Sequence, residues 1–247
     1  MVMSSHLHRG SALNKQTTTV DSLASAAVAE IVSGMTVGLG AGLTAARGIH
    51  ALAQRVIDEG LDINCVAASE RAEDLARSLG LKIVDFAMLE EIDVLIDGAD
   101  EVDRSMVVLK GSRGAMTRER ILCWASKHTV FMVNEKKVSE TQVGTLCAMP
   151  IAVMAYGVAS TRKALRHIGI NGVIRQDMDG RLFLTDNGNL VLDATIHGNE
   201  DLLEMALELN DIPGVIDHGL FIDEADTILI ELSDGTIERL DRPAAED

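Results

Sequence analysis

The stretch DVLIDGADEVDRSMVVLKGSRGAMTRER, residues 93–120, decides how the rest of the chain is read. An apolar strand (Val94, Leu95, Ile96) runs directly into the carboxylates Asp97, Asp100 and Glu101. Lys110 then opens a glycine-containing loop, and Thr117-Arg118-Glu119 follows. In an open α/β sheet, ligands sit outside the carboxyl ends of the strands. Acids at that place, beside a lysine and a further glutamate, point to proton transfer on a small polar substrate. The competing reading is a solvated acidic turn followed by an ordinary helix.

Working outward, strands and helices alternate. Residues 21–33 have helical spacing, with Gly34 suited to end the helix. A strand at 36–39, a glycine turn and a helix at 44–58 follow, then a strand at 63–68, a helix ending near Gly80 and a strand KIVDF at 82–86. Residues 114–127 read as a helix and 129–133 as a buried strand. This alternation predicts an α/β fold with a parallel sheet covered by helices on both faces. After about residue 145 the texture changes: a strand (IAVMAY), a helix at 158–168, two short strands around Asp179-Gly180, a strand NLVLDA and a helix at 200–209. That order predicts a smaller α+β, ferredoxin-like unit. The last two strands, TILIEL and GTIERL, are joined by Ser-Asp-Gly. The expected division is a leader at 1–19, a main domain at 20–146 and 221–247, and the smaller domain at 147–220.

The 247 residues are 47% hydrophobic but only 2% aromatic, so aliphatic side chains must build the core. A net charge of -16 argues against nucleic acid or an anionic membrane as a partner, since both need basic surface. For the same reason any anion site must be locally positive. Cys65, Cys123 and Cys147 are odd in number and unclustered, as expected of free thiols in a reducing cytoplasm. No run approaches the ~20 apolar residues of a transmembrane helix. The first 19 residues are polar, lack the apolar core of a secretion signal and read as a disordered leader. The seven histidines are scattered, and His6 and His8 alone make no metal site.

The turn from Gly38 to Thr44 joins a strand to a helix, where free N–H groups favour an anion. It is neither the GxGxxG fingerprint nor a P-loop, and a tight structural turn accounts for it equally well. Asp97 and Asp100 flank Gly98-Ala99, so one turn can aim both carboxylates into a cleft, where they can bind hydroxyls or a metal or move protons. Lys110 beside them supplies the positive charge a metal would bring. Glu119, early on a helix, is either a dipole-favoured surface glutamate or a general base, a role worth roughly 10² to 10⁴ in rate. Lys110 is either a solvated lysine or the group that steadies an oxyanion.

Taken together, VGLGAGLTAARGIHAL, DVLIDGADEVD, LKGSRGAMTRER, LTDNGNLVLD and IPGVIDHGLF resemble the type A ribose-5-phosphate isomerases, in order over about residues 21–240. The resemblance implies a Rossmann-like domain with a smaller α+β insertion, no cofactor or metal, and a homodimer or homotetramer. It implies aldose–ketose isomerisation of a sugar phosphate through an enediolate. Glu119 matches the family's base, and Asp97, Asp100 and Lys110 match its sugar-handling groups. Gly40, Ala41, Gly42, Leu43 and Thr44 match the substrate loop. Gly98, Ala99, Gly111, Ser112 and Arg113 flank the acids and the lysine, and Lys137 matches a substrate-binding lysine.

The chain also departs from the family pattern. Gly-Thr-Gly-Ser-Thr becomes Gly40-Ala41-Gly42-Leu43-Thr44, which removes two hydroxyls, and Lys-Gly-Gly-Gly becomes Lys110-Gly111-Ser112-Arg113. Ala67-Ala68-Ser69, Asn134-Glu135-Lys136-Lys137 and Pro150-Ile151-Ala152-Val153 differ likewise. Either Arg113 replaces the lost hydroxyls as a phosphate partner, or the substrate is a different or unphosphorylated sugar. Two readings from other classes remain, a non-catalytic sugar-phosphate sensor and an acyl-CoA transferase. About twenty polar residues ahead of the domain and the acidic charge do not suit the first, and the full Asp97, Asp100, Lys110, Glu119 set speaks against the second.

Overall fold

A computed structural model of the chain describes residues 21–243; the expected leader, with His6 and His8, lies outside them. Helix α1 (Ser22–Val28) starts where the Asp21 carboxylate accepts the Ala24 N–H at 2.9 Å. It ends well before Gly34, because the Arg55 guanidinium donates to the carbonyls of Val28, Ala29 and Ile31 and gives the chain end acceptor partners that a further helical turn would otherwise supply. Gly34, at φ +93°, serves instead the turn into β1 (Thr36–Leu39). Helix α2 (Leu43–Glu59) stops at Gly60 in the left-handed region, and β2 (Asn64–Ala67) and the Ser69-capped α3 (Glu70–Ser78) follow.

The expected strand at 82–86 shrinks to one parallel bridge between Cys65 and Ile83. There the Asp85 side chain accepts the Ala87 N–H and turns the backbone into a short 3-10 segment. The acidic stretch forms β3 (Val94–Gly98), β4 (Glu101–Val102) and β5 (Val108–Leu109), followed by α4 (Met116–Ala125) and β6 (Thr129–Asn134). Then come β7 (Met149–Val153), α5 (Val158–His167), β8 (Gly172–Ile174), β9 (Leu190–Ala194), α6 (Leu202–Asn210) and β10 (Val215–His218). The expected pair of strands around Asp179-Gly180 is an arm with isolated bridges only, Gln176 to Leu182 and Leu184 to Leu190. The last strands are β11 (Leu220–Phe221), β12 (Thr227–Glu231) and β13 (Ile237–Asp241).

The central sheet has the order β13-β12-β6-β3-β1-β2, parallel except for β13. Alternation along each strand sorts its side chains to two faces. Ile96, Met132 and Leu229 pack with Leu23, Ile49 and Leu52 on one face; Leu95, Phe131 and Ile228 pack with Met116 and Leu122 on the other. From β1 the chain moves outward to β2, then crosses back to β3 on the other side. The order therefore reverses between β1 and β3, which opens a crevice at their carboxyl ends. A second, antiparallel sheet, β10-β7-β9-β8, carries α5 and α6, the βαββαβ arrangement of a ferredoxin-like unit. The two are linked by the small sheet β11-β5-β4.

Glu101 faces away from the other acids. Fully buried, it accepts the N–H groups of Gly144, Thr145, Leu146 and Cys147 at 2.9–3.2 Å. Its role is to hold that loop, and a stranded buried N–H costs about 1–3 kcal/mol. Glu101→Ala is therefore expected to lower unfolding stability by about 3 kcal/mol or more, with Glu101→Gln intermediate, as read from urea denaturation.

Candidate active site

The β1/β3 crevice brings together groups from four segments of the chain. Gly40 donates its N–H to the Ile96 carbonyl at 2.9 Å. A Cβ on Gly40 would fall 1.9 Å from Asp97 Cγ, so the bare backbone is what makes room for the Asp97 carboxyl. Asp97 is fully buried, and its Oδ1 accepts N–H groups from Gly98 at 2.6 Å and Ala41 at 3.1 Å. Its Oδ2 lies 2.7 Å from Lys110 Nζ.

Lys110 follows directly on β5, and its own N–H is held by the Gly219 carbonyl at 2.9 Å. Its ammonium, also buried, lies 3.3 Å from Glu119 Oε1, donates to the Gly98 carbonyl and sits 5.1 Å from the Phe131 ring centroid. Glu119 occupies the first turn of α4, 3% exposed, and its Oε2 has no hydrogen-bond partner. Burial pushes the Glu119 carboxyl up to about 8, opposed by Lys110 and assisted by the neighbouring Asp97 and Asp100. Burial also raises Asp97, again against Lys110. Burial pulls Lys110 down, but the Asp97 and Glu119 carboxylates outweigh it and the ammonium is held charged. One cation thus serves two buried carboxyls, and neither carboxylate is fully compensated.

Asp100 accepts both the N–H and the hydroxyl of Ser112, fixing the loop after Lys110. Lys137, half-buried, donates to the Ala99 carbonyl; burial lowers its pKa, with Asp100 opposing and Lys110 adding to the depression. Gly98 and Thr44 are in close approach, with a built Gly98 Cβ 2.9 Å from Thr44 Cβ. A cavity of about 110 Å³ is lined by Ala41, Gly42, Leu43, Thr44, Gly98, Ala99, Asp100, Lys110, Gly111, Ser112, Arg113, Glu119 and Lys137. A larger chamber of about 710 Å³ adjoins, sharing Ala41, Gly42, Leu43, Ser112 and Arg113 and extending between α3 and the arm at 175–186. Of the other two residues singled out in the sequence, Asp97 is fully buried and Gly40 lines the adjoining chamber instead.

Sequence reasoning missed Arg175. It is paired with Asp193 and donates to the carbonyls of Gly111 at 3.0 Å and Ser112 at 2.9 Å, clamping the Lys110 loop from the second sheet. No local pattern marks it, because the loop carbonyls it clamps lie more than sixty positions away in the chain. Among the described residues, no cluster of three His, Cys, Asp or Glu side chains could hold a metal. Burial raises the Cys65 thiol to about 12 and the Cys123 thiol well above its ordinary value, so both remain protonated core groups.

Residues 64–235 match the family model described as ribose 5-phosphate isomerase A (phosphoriboisomerase A). The chain belongs to the ribose 5-phosphate isomerase A family. It is 39% identical over 214 residues to "Ribose-5-phosphate isomerase A" of Desulfatibacillum aliphaticivorans, covering 86% of this chain and 92% of that protein. The protein of the same name from Gluconobacter oxydans is 40% identical over 207 residues, 83% of this chain and 89% of the relative. Among solved structures, the ribose 5-phosphate isomerase of Plasmodium falciparum superposes with a TM-score of 0.85 at 31% identity, over 91% of this chain and all of that one. A D-ribose-5-phosphate isomerase in complex with phospho-erythronic acid gives 0.84 at 32% identity, over 89% and 96% of the two chains.

Gly40→Ala is expected to drive the Asp97 carboxyl off Lys110 and lower kcat on the order of 10²-fold. A kcat equal to that of the parent would show that Asp97 can move without consequence.

Proposed function

We propose that this chain interconverts ribose 5-phosphate and ribulose 5-phosphate, with Glu119 as the base. The observation that carries the reading is Glu119, which lines the cavity beside the Lys110 ammonium and keeps a buried Oε2 without a partner. In the open-chain aldose Glu119 takes the C2 proton, and electrons flow through C1–C2 to place negative charge on O1. The Lys110 ammonium steadies that oxygen in a water-poor site, where fixed charge is most effective. Glu119 returns the proton to C1, and the hydroxyl proton of O2 is transferred to O1, leaving a ketone at C2. Asp97 aims Lys110, and Asp100 holds the Ser112 wall of the pocket. No electron acceptor is needed, because the oxidation at C2 balances the reduction at C1.

One observation favours a second reading, the same chemistry on a different or unphosphorylated sugar. Leu43, 76% exposed, and Ala41 line the cavity and bring no hydroxyl. A non-catalytic sensor is less well supported, since it has no use for a buried carboxyl oxygen without a partner. The proposed partners are a small-molecule sugar phosphate and further copies of the chain, as a homodimer or homotetramer. No described helix is long and apolar enough to cross a membrane.

Assayed in chelator-treated buffer, the protein is expected to turn over ribose 5-phosphate selectively over ribose and allose; activity confined to another sugar would instead select the second reading. Glu119→Gln is expected to lose roughly 10² to 10⁴ in kcat with little change in substrate binding. Near-parental turnover in that variant would remove Glu119 as the base. Because the base must be ionised and burial raises its pKa, kcat/KM is expected to fall as pH drops from about 8, far above the ordinary glutamate value of 4.5. An acid limb centred near 4.5 would contradict the buried-base assignment.

A further inference from the structure

Resting on the isomerase reading above, we propose that Arg113 grips the substrate's phosphate and sets the preference for phosphorylated over neutral sugars. In a chain of net charge -16, a dianion can be held only where positive charge is locally uncommitted. Three cations line the catalytic cavity, Lys110, Lys137 and Arg113. Lys110 is shared between Asp97 and Glu119 and also donates to Gly98, while Lys137 donates to the Ala99 carbonyl. Arg113 is exposed and, among the described residues, makes neither an ion pair nor a hydrogen bond. Of these three, its charge is the one left for a ligand.

The backbone that carries Arg113 is nonetheless fixed. Asp100 binds the Ser112 N–H and hydroxyl, and Arg175 binds the Gly111 and Ser112 carbonyls. The turn closes through the Gly114 N–H to the Gly111 carbonyl at 2.9 Å, with both glycines at positive φ. Gly114 is pressed on the Phe183 ring, where a Cβ would fall 2.5 Å from the nearest atom. A free guanidinium on a fixed root loses little further order when it binds.

Across the gap from Arg113 stands the start of α2. The Arg113 Cγ lies 3.9 Å from a Cβ built on Gly42, the cap of that 17-residue helix, which offers no side-chain acceptor to the helix's first N–H groups. A phosphate seated there takes the guanidinium fork on one side and backbone donors on the other. Ala41 and Leu43, which line the same gap, have no side-chain donor to offer. Glu119, with its buried, partnerless Oε2, lines the same cavity, so one pocket offers both a base and an uncommitted cation. Arg113 also lines the larger chamber, which places the anion at the junction of the two.

The test compares Arg113→Ala and Arg113→Lys with the parent, using ribose 5-phosphate and ribose as substrates and inorganic phosphate as a calorimetric ligand. In Arg113→Ala the KM for ribose 5-phosphate is expected to rise about 10- to 100-fold. Its kcat stays within about threefold, any turnover of ribose is unchanged, and phosphate binding weakens by a factor similar to the KM change. Arg113→Lys keeps the charge without the fork and is expected to fall between. An unchanged KM for ribose 5-phosphate, or an equal loss on both sugars, would overturn the proposal. If the parent turns over no ribose 5-phosphate, the isomerase reading fails, and phosphate calorimetry then judges Arg113 alone: weaker binding in Arg113→Ala supports the anion site, and equal binding removes it.

Discussion

The Lys110 ammonium, buried between Asp97 and Glu119, is the interaction on which the rest of the site depends. Removing one partner from a buried ion pair typically costs about 3–5 kcal/mol, because the remaining charge keeps its desolvation penalty. Here a missing lysine would strand two carboxyls at once. The arrangement also explains why both carboxyls are held above their ordinary range: burial favours their neutral forms, and one cation cannot satisfy two anions. A carboxyl so balanced gives up and regains a proton at modest cost, which is what an acid–base group at neutral pH requires.

The parallel sheet places these groups where they meet. Because strand order reverses between β1 and β3, the loops after both strands open into one crevice, and Gly40 and Asp97 come into van der Waals range. Lys110 arrives from the small linking sheet and Glu119 from the first turn of α4. The ferredoxin-like unit contributes no group to the buried Asp97, Lys110 and Glu119 cluster, yet Arg175 and Phe183 press its arm onto the Lys110 loop. The second sheet therefore acts as a brace for the wall that carries Ser112 and Arg113.

Much of this was legible along the chain, for local reasons. Asp97 and Asp100 stand at the end of an apolar strand, Lys110 begins a glycine loop and Glu119 opens a helix, and each placement follows from short-range periodicity and turn chemistry. The same reasoning could not separate Glu101 from its acidic neighbours. Its buried role depends on the loop at 144–147, which reaches it only in the folded state. It also ran α1 on to Gly34, because the carbonyls that end the helix are taken by Arg55, a residue of the following helix. The strand expected at 82–86 faded likewise, since alternation alone cannot tell a paired strand from an edge segment that touches the sheet at one bridge.

By itself, the sequence determined the alternation of strands and helices, the family, and the identity of the acid, lysine and glutamate set. These depend on spacing along the chain, which the primary structure states directly. Only the tertiary structure decided that Lys110 is shared by two buried carboxyls, that Glu119 keeps an oxygen without a partner, and that Arg175 clamps the loop beneath Arg113. Each of these is a matter of which groups lose water together. Desolvation depends on neighbours brought in from distant segments, and no local pattern records them.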